Sequence, residues 1–351
     1  MNLQDFKIKS DRTIKEALQQ INQDSLAQYV TLFAIDANDK LIGTITDGDI
    51  RRALLNDLEL DTTLEKVINR NCYFMYEDEK DLQKMLEIKD KSIQIIPVVS
   101  ADGTLKSIVD LRKQFSFLPI EVAIMAGGLG SRLRPLTLET PKPLLKIGSR
   151  PVMEWNIERL RKFGVQKFHI SINYLGQKIK DYIATTEYRH QVDYIEEPVP
   201  LGTIGSLKYA EKEIQRDVIL LMNSDLITNV DYEDFYHAFI SSGADMGLVS
   251  IPYEVKIPYA VLETEDDAVR SFKEKPTYTY YSNGGIYFLK RSLLEMIPEG
   301  EFYNSTDLME KLQKEGKKVM HYAHLDYWLD IGKMEDFEKA QRDIKQLKLL
   351  S

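Results

Sequence analysis

A glycine-rich stretch near the middle of the chain, IMAGGLGSRLRPLTLETPKPLL from Ile124 to Leu145, most constrains what this sequence can fold into. It begins as an apolar, strand-like run and continues through Gly127, Gly128 and Gly130. Successive glycines expose backbone N–H groups without a Cβ that would block a ligand, and such a concavity suits anionic oxygens. The stretch therefore predicts a phosphate-binding loop at the end of a buried strand.

Two cationic side chains follow these glycines. Arg132 can donate two parallel hydrogen bonds to a phosphate, and Lys142 can act as a point charge. A P-loop would need Gly-Lys-Ser/Thr five residues after its first glycine, and a dinucleotide fingerprint would need Gly or Ala where Leu133 stands. The stretch therefore indicates a phosphate site of another class.

The composition excludes several kinds of protein. A chain of 351 residues is expected to form two or three domains, and its net charge of −9 opposes non-specific binding to nucleic acid or to anionic membranes. No apolar run approaches the ~18 residues of a membrane-spanning helix. The single cysteine, Cys72, allows no internal disulfide. We therefore expect a cytoplasmic protein without nucleic-acid or membrane partners.

The sequence pattern changes near residue 118, which divides the chain into residues 1–118 and 119–351. In the first part, LFAIDANDKLIGTIT at 32–46 matches IPVVSADGTLKSIVD at 96–110. Each copy reads as a β-hairpin, and the helical patterns TIKEALQQIN and DLQKMLEIKD precede the two copies. Two copies of so small a unit usually pack against each other, because neither buries enough surface alone.

This first part resembles a tandem pair of cystathionine-β-synthase (CBS) domains, an α+β module, most specifically at GTITDGDIRRAL from Gly43 to Leu54. The resemblance implies that Thr46 and Asp49 hold the ribose of a regulatory nucleotide. The second copy reads SIVDLRKQF and lacks the threonine, so the first copy would be the better half-site. A packing or dimerisation module without a ligand is the alternative. Because CBS pairs commonly associate, we expect a homo-oligomer.

The second part alternates short apolar strands with helices. EVAIMA, KFHISIN, QVDYIEE and DVILLMN read as strands, and PVMEWNIERLRKFG, GQKIKDYIATT and IGSLKYAEKEI read as helices. This order predicts a mostly parallel α/β sheet that is covered on both faces and binds ligands at the carboxyl ends of its strands. The run from Tyr278 to Tyr281 is predicted to lie in the sheet and the core. His321 and His324 are predicted to be structural, because the five histidines show no metal-ligand spacing.

Six segments resemble, in the same order, the motifs of sugar-1-phosphate nucleotidyltransferases: AGGLGSRLRPLTLETPKPLL, EEPVPLGTIGSL, LLMNSD, FKEKP, SNGGIYFL and YWLDIGKMEDFEKA. The resemblance covers nearly all of residues 121–345. It implies that residues 119–351 form a Rossmann-like, mostly parallel domain of the GT-A-like type. It further implies that a sugar 1-phosphate reacts with a nucleoside triphosphate, and that pyrophosphate leaves.

The same resemblance implies a role for each motif. Phosphate charge would be neutralised by three cations: Arg132, Lys142 and Lys275. The nucleotide would be held by backbone and small side chains: Ala126, Gly127, Gly128, Gly130, Gly202 and Thr203. The sugar phosphate would be held by Glu274, Lys275, Asn283 and Gly284. Mg²⁺ would be bound by Asp225 and Asp330. From the residues alone, Asp225 could equally be a turn residue, Glu274 a surface charge and Thr203 a helix N-cap.

The base and the sugar are less sharply indicated. The PLGTIGSL loop resembles that of mannose-1-phosphate guanylyltransferase-like enzymes, which implies GTP, although some uridylyltransferases have similar openings. A CBS pair ahead of this domain resembles glucosamine-1-phosphate guanylyltransferases that feed bacterial legionaminic acid synthesis. The rival classes are a glycosyltransferase and a non-catalytic nucleotide sensor. Glycosyltransferases often carry Asp-x-Asp, whereas only one aspartate stands in the segment from Ser224 to Ile227.

Overall fold

The computed structural model describes residues 2–23, 29–77, 88, 91, 93–347 and 349. The chain forms two compact units, Met1–Phe117 and Leu118–Ser351, and each is described by itself. The helical pattern DLQKMLEIKD falls almost entirely outside the described residues. In the part of the chain that the structure covers, no helix has the length and apolar character needed to cross a membrane.

The N-terminal unit contains two small sheets with the same topology. In each sheet the predicted hairpin is confirmed, and a third strand pairs parallel to the first strand of the hairpin. The strands are β1 (Lys7–Lys9), β2 (Thr31–Ile35), β3 (Leu41–Thr46), β4 (Met75–Tyr76), β5 (Ile95–Val99) and β6 (Leu105–Asp110). The helices are α1 (Leu3–Phe6), α2 (Ile14–Ile21) and α3 (Asp47–Leu55). The apolar face of α2 packs into a core with Phe6, Leu32, Phe33 and Ile45.

The C-terminal unit is built on one mixed sheet of seven strands. Its order is β11-β10-β7-β12-β17-β14-β18, and β17 alone among these runs antiparallel to its neighbours. The sheet strands are β7 (Glu121–Met125), β10 (Phe168–Ile172), β11 (Val192–Glu196), β12 (Val218–Asn223), β14 (Met246–Lys256), β17 (Thr277–Lys290) and β18 (Val319–Ala323). Short pairs are formed by β8 (Lys146–Ile147) with β9 (Arg150–Pro151), β13 (Leu226–Thr228) with β19 (Trp328–Asp330), and β15 (Val261–Glu265) with β16 (Ala268–Lys273).

Helices cover this sheet, and the predicted mostly parallel α/β class is confirmed. They are α4 (Val152–Lys162), α5 (Gly176–Ala184), α6 (Tyr232–Ser242), α7 (Ser305–Lys314) and α8 (Met334–Asp343). Strand β12 has the continuous apolar pattern of a covered parallel sheet, and it is buried from Val218 to Met222. Helix α4 begins after Pro151 and ends before Gly164, whose φ of +83° stops the helix as predicted.

One predicted helix is wrong. The segment IGSLKYAEKEI forms a short 3₁₀-helix, Gly205–Ala210, rather than an α-helix. The backbone N–H groups of Ile204 and Gly205 both donate to the carbonyl oxygen of Tyr303, at 3.2 and 3.1 Å. These bonds fix the start of the segment against Tyr303, about 100 residues further along the chain, and the local pattern could not reveal such a constraint.

The outer halves of β14 and β17 leave the body of the unit as a protruding arm, here defined as residues 251–283. Hairpin β15–β16 lies at the end of this arm, and every residue of the arm is at least partly exposed. The tyrosine run is therefore in a sheet, as predicted, but the predicted core position is wrong. Tyr280 and Tyr281 are 59% and 54% exposed, because their ladder has passed beyond the covered part of the sheet.

Candidate active site

The glycine-rich loop follows β7 and lines a cavity of about 460 Å³ at the carboxyl end of that strand. The backbone N–H of Ser224, just after β12, donates to the carbonyl oxygen of Met125 at 3.3 Å. This bond joins the ends of two neighbouring parallel strands, so their loops open into one pocket. The ends of neighbouring parallel strands are where such sheets bind ligands.

Two glycines of the loop differ in what surrounds them. A Cβ on Gly128 would meet nothing within 4 Å, so its backbone faces open pocket space. Gly130 has a φ of +61°, in the left-handed region that favours glycine. Its carbonyl oxygen accepts a hydrogen bond from the Thr137 hydroxyl at 2.8 Å. The loop is thus fixed at Gly130 and bare at Gly128, and Ala126 and Gly127 line the same pocket.

Asp225, Asp330 and Lys142 meet beside this loop. Strands β13 and β19 pair antiparallel with Leu226 opposite Asp330, which brings the two aspartates together across 105 positions of sequence. The Lys142 ammonium forms an ion pair with Asp225 and lies 3.9 Å from a carboxylate oxygen of Asp330. The pairing of two short strands therefore explains a separation that the sequence alone could not interpret.

The two carboxylates of this cluster lie close together and are partly buried, which disfavours their charged forms. Burial, together with the neighbouring Asp225, raises the pKa of Asp330 to about 6, against the opposing influence of Lys142 and Arg132. One buried oxygen of each carboxylate, Oδ1 in both, has no hydrogen-bond partner. Buried polar atoms are nearly always satisfied, so these two atoms point to a ligand.

The donor set fits Mg²⁺. This ion keeps several waters and takes one or two protein carboxylates together with substrate phosphates. Asp225 and Asp330 supply two carboxylates, and one oxygen of each has no hydrogen-bond partner. Within the described residues, no group of three or more potential protein ligands comes together, so a cage formed wholly by this part of the chain is not available.

Arg132 lies on a short 3₁₀-helix, Ser131–Leu133, directly after the glycine loop. Leu133 is buried with Ile331 in a small apolar cluster, which anchors the turn. The Arg132 side chain reaches across to Gly332, where its Nη1 atom lies 3.5 Å from the position of an added Cβ. It lines the pocket, and its positive charge opposes the rise in the pKa of Asp330.

The loop after β11 forms another wall. Gly202 has a φ of +80°, and a Cβ there would lie 2.5 Å from the carbonyl oxygen of Tyr303. The Thr203 hydroxyl accepts a bond from the N–H of Ser305 at 2.9 Å. The N-cap alternative for Thr203 is therefore wrong for the helix that follows it, because its hydroxyl binds the first residue of α7. Gly202 and Thr203 both line the pocket.

The sequence analysis missed several residues that line the pocket, among them Glu197, Asn223 and Phe302. Glu197 is buried, and one of its carboxylate oxygens accepts a bond from the N–H of Leu201 at 3.2 Å. Phe302 lies at the rim and is 64% exposed. Glu197 and Asn223 stand at the carboxyl ends of β11 and β12, and this position could have identified them. Nothing in the local pattern marks Phe302.

The predicted sugar-phosphate residues do not line this pocket. Asn283 and Gly284 lie in β17 beside its wall, where Gly285 packs against Asn223. The Gly284 carbonyl accepts a bond from the Trp328 indole at 2.9 Å, and Asn283 caps the N–H of Gly285 at 3.0 Å. The two others, Glu274 and Lys275, are exposed at the outer end of the arm.

The family model described as nucleotidyl transferase matches residues 121–347, the part of the chain that carries this pocket. The chain belongs to the nucleotidyl transferase family. Membership makes it an enzyme that transfers a nucleotidyl group, and it agrees with the resemblance found in the six motifs. A second family model, for the CBS domain, matches residues 1–56.

Curated relatives in this nucleotidyl transferase family include two guanylyltransferases. The D-glycero-α-D-manno-heptose 1-phosphate guanylyltransferase of Aneurinibacillus thermoaerophilus is 30% identical over 64% of this chain and 99% of its own length. A mannose-1-phosphate guanyltransferase of Debaryomyces hansenii is 32% identical, with 61% of each chain covered. The chain thus matches about three fifths of that second relative.

Among solved structures, HddC from Yersinia pseudotuberculosis, crystallised in complex with GMP-PN, is 29% identical to this chain. The match has a TM-score of 0.51 and covers 64% of this chain and 99% of HddC. The shared part corresponds to the nucleotidyl transferase unit rather than to the whole chain.

The predicted regulatory residues lie in the N-terminal unit of this nucleotidyl transferase. Thr46 and Asp49 form a capping box at the start of α3: the Asp49 N–H donates to the Thr46 hydroxyl at 3.1 Å, and the Thr46 N–H donates to the Asp49 carboxylate at 2.8 Å. Arg52 forms an ion pair with the same carboxylate. A cavity of about 560 Å³, lined in part by Thr46 and Gly48, opens beside this helix start.

The histidines near the carboxyl end have structural contacts in this nucleotidyl transferase. His321 lies in β18, with its Nδ1 atom 2.9 Å from the Ser250 hydroxyl. His324 follows that strand, and its Nε2 atom is 3.1 Å from the Tyr327 carbonyl oxygen. Neither lines the pocket, in agreement with the structural role predicted for them.

Proposed function

We propose that this protein is a sugar-1-phosphate guanylyltransferase, which joins GMP from GTP to a hexose 1-phosphate and releases pyrophosphate. One observation carries the proposal: Asp225, Lys142 and Asp330 form a charged cluster beside the bare glycine loop. The names of the relatives and the bound nucleotide analogue of HddC support the choice of guanine.

The chemistry is a substitution at the α-phosphorus of GTP. An oxygen of the sugar phosphate forms a new bond to that atom, the bond to the β-phosphate oxygen breaks, and pyrophosphate carries the charge away. Both reactants are anions, so the barrier arises from repulsion and from charge that develops on the leaving group. Positioning and electrostatic stabilisation can lower such a barrier without a protein nucleophile.

The residues of the pocket divide this work. The backbone around Gly128 receives the triphosphate, and Arg132 stabilises the departing pyrophosphate through two parallel hydrogen bonds. Lys142 is held in place by both aspartates, so its charge is fixed before substrate arrives. Mg²⁺ held by Asp225 and Asp330 would supply a further positive charge to the phosphate oxygens.

The nucleoside is proposed to lie between the loop after β11, residues 200–203, and Phe302 at the rim of the pocket. Gly202 and Thr203 line the pocket there, and the exposed ring of Phe302 offers a face on which a base can stack. The buried carboxylate of Glu197 faces Gly127, with its Oε1 atom 2.9 Å from an added Cβ. It can accept hydrogen bonds from the nucleoside or from water.

For the sugar, the proposal is glucosamine 1-phosphate, in a pathway to bacterial surface glycans such as those containing legionaminic acid. It rests on the resemblance of the fused CBS and nucleotidyltransferase units. A UTP-dependent uridylyltransferase is the alternative within the same reaction class. The proposed place of the reaction is the cytoplasm, since the single cysteine suits a reducing compartment.

The N-terminal unit is proposed to bind a regulatory purine nucleotide in the cavity beside Thr46. That cavity opens next to the start of α3, where Asp47 and Gly48 present backbone close to its wall. A shift in melting temperature on addition of AMP, ATP, GMP or GTP would support the site. The absence of a shift with all four would indicate that the N-terminal unit serves only in packing or dimerisation.

A matrix of four nucleoside triphosphates against glucosamine, mannose, glucose and heptose 1-phosphates tests the proposed function. Pyrophosphate release that needs both GTP and a sugar 1-phosphate is the expected result. Release that needs UTP instead would establish the uridylyltransferase. Transfer from a nucleotide sugar with release of nucleoside diphosphate would establish a glycosyltransferase, and binding without turnover would establish a sensor.

A further inference from the structure

Two polar residues interrupt the core-facing side of helix α4. Val152, Asn156, Arg159 and Leu160 recur at helical spacing, and all four are buried. Asn156 is only 2% exposed. Asparagine is a poor helix former, and a buried amide reduces stability unless it is hydrogen-bonded. The contacts of Asn156 therefore indicate what the helix gains from it.

Asn156 binds the strand that follows Asp225. Its Nδ2 atom donates to the carbonyl oxygen of Leu226 at 2.9 Å, and it makes a longer bond of 3.4 Å to the carbonyl oxygen of Val152 in its own helix. Both N–H groups of the amide are thus used on backbone carbonyls. The bond to Leu226 joins α4 to the first residue of β13, directly beside Asp225.

The pairing of β13 with β19 leaves this carbonyl without a strand partner. Leu226 stands opposite Asp330, and the Asp225 carbonyl accepts a bond from the N–H of Ile331 at 3.0 Å. Leu226 and Asp330 therefore form a pair that exchanges no hydrogen bonds, so the Leu226 carbonyl points away from β19. Strand β13 pairs with no other strand in the part of the chain that is described, and Asn156 supplies the donor that its free edge lacks.

The pair of β13 and β19 gives weak support to the two aspartates by itself. Each strand has three residues, and an isolated two-stranded pair is at best marginally stable in water. Ile227 and Leu329 stand opposite each other and are buried in one apolar cluster, but apolar contacts have little directional preference. The hydrogen bond from Asn156 is directional, so it fixes the position of β13 more sharply.

A series of hydrogen bonds also connects Asn156 to the segment that carries Lys142. Val152, whose carbonyl oxygen the Asn156 amide contacts, donates its own N–H to the carbonyl oxygen of Leu145 at 3.0 Å. The N–H of Leu145 in turn donates to the carbonyl oxygen of Lys142 at 3.1 Å. Asn156 therefore stands where the connection to Lys142 meets the connection to Asp225.

Arg159 secures the other end of β13. Its Nη2 atom donates to the carbonyl oxygens of Asn229 and Val230, each at 2.9 Å, and its Nη1 atom donates to the carbonyl oxygen of Leu349 at 2.9 Å. These contacts lie beyond the last residue of β13 and join it to the end of the chain. Of the two polar residues of α4, only Asn156 binds next to the charged cluster.

We propose that Asn156 is a positioning residue for the metal site: through the Leu226 carbonyl it fixes Asp225 relative to Asp330 and Lys142. Asn156 does not line the pocket, so it acts through Asp225. Carboxylates that are already held at the right spacing lose less freedom when they bind a cation, and support from behind the ligands therefore raises metal affinity. This inference rests on the proposed function for the identity of the metal, Mg²⁺.

Metal affinity of the full-length protein tests this role without turnover. Mn²⁺ suits the same oxygen ligands as Mg²⁺, and the electron paramagnetic resonance signal of the free ion reports its binding. Asn156→Leu keeps the branched shape of the side chain and removes both polar atoms, and Asn156→Ala truncates it. We expect the Kd for Mn²⁺ to rise about tenfold in each variant.

Ser250→Ala is the matched control for this titration. Ser250 is also 2% exposed, and its hydroxyl lies 2.9 Å from the Nδ1 atom of His321, away from the pocket. This variant loses a buried hydrogen bond but should bind Mn²⁺ like the wild type. Wild-type protein that binds no Mn²⁺, an unchanged Kd in the Asn156 variants or an equal loss in Ser250→Ala would overturn the proposal. Asn156→Ala decides the question if the leucine variant does not fold, because truncation introduces no clash.

The Mg²⁺ dependence of pyrophosphate release separates positioning from chemistry. In Asn156→Ala, the Mg²⁺ concentration that gives half of the maximal rate should rise about tenfold, whereas kcat at saturating Mg²⁺ should stay within about threefold of wild type, because the carboxylates themselves are retained. A fall in kcat that excess Mg²⁺ does not restore would contradict a positioning role. If the wild-type protein releases no pyrophosphate with any substrate pair, the proposed function fails, while the Mn²⁺ titration still decides the role of Asn156.

Discussion

The pocket of the C-terminal unit and the helix start of the N-terminal unit contain similar polar groups in different states. Asp225 and Asp330 each keep a buried oxygen without a hydrogen-bond partner. Thr46 and Asp49 instead satisfy one another in a capping box, and Arg52 neutralises the carboxylate. Unsatisfied buried groups reduce stability and are usually explained by function, whereas satisfied groups have a sufficient structural reason. The comparison favours a ligand in the first site and a helix cap in the second.

Asp225→Asn should cause the largest loss of enzymatic activity. We expect pyrophosphate release to fall about 1,000-fold, because the variant loses a charge that fixes Lys142 and would hold Mg²⁺. Asp245→Asn is the matched control, since Asp245 pairs with Lys290 at 2.9 Å and does not line the pocket. A rate within tenfold of wild type for Asp225→Asn would mean that this cluster of charged residues is not the catalytic site.

Arg132→Lys should reduce kcat about 100-fold, because a lysine cannot donate two parallel hydrogen bonds to the leaving pyrophosphate. The neighbouring Arg134 is exposed and does not line the pocket, so Arg134→Lys serves as the control. Steady-state kinetics measure both variants. Equal rates for the two would mean that Arg132 is a surface charge.

Gly128→Ala should raise the KM for the nucleotide about tenfold without changing the melting temperature. The added methyl group would meet nothing in the free protein, but it would occupy space where the backbone receives phosphate. Gly202→Ala should instead lower the melting temperature, because its φ of +80° is strained for alanine and the Tyr303 carbonyl leaves no room for a Cβ. A lower melting temperature for Gly128→Ala would contradict the conclusion that a Cβ at this position meets no other atom of the free protein.

Asp330→Asn should raise the melting temperature of the metal-free C-terminal unit at pH 7 by about 2–4 °C. The folded-state pKa of Asp330 is raised to about 6, above its ordinary value of 3.8, so folding favours the protonated form. Wild-type stability therefore falls as pH rises from about 4 to about 6, and the neutral amide removes this fall. Calorimetry at pH 4 and pH 7 should show the variant ahead only at the higher pH.

Thr46→Ala should have the smallest effect, a loss of about 1 kcal/mol from the missing helix cap. Thr46→Ser keeps the hydroxyl and should remain close to wild type. Melting curves with and without purine nucleotides then sharpen the comparison. If Thr46→Ala also abolishes a nucleotide-induced shift that Thr46→Ser retains, this site belongs with the functional pocket rather than with structural caps.

The predictable part of the fold consists of elements whose partners are close in sequence or whose faces are fully buried. The hairpin of β2 and β3 is set by its own turn, and β12 is recognisable because both of its faces are apolar. The 3₁₀-helix at Gly205–Ala210 was not predictable, because distant backbone bonds to Tyr303 determine it. The exposure of Tyr280 was not predictable either, since an alternating strand reads the same whether or not the rest of the chain covers its apolar face.

The sequence by itself determined the α/β class, the glycine loop after the first buried strand, and the kinds of charged group available for phosphate chemistry. These follow from periodicity and from side-chain chemistry, which are local properties. Only the tertiary structure decided that Asp225 and Asp330 meet across Lys142, and that Lys275 does not join them. The physical reason is that strand pairing sets distances between residues far apart in sequence, and no local pattern encodes the register of such pairs.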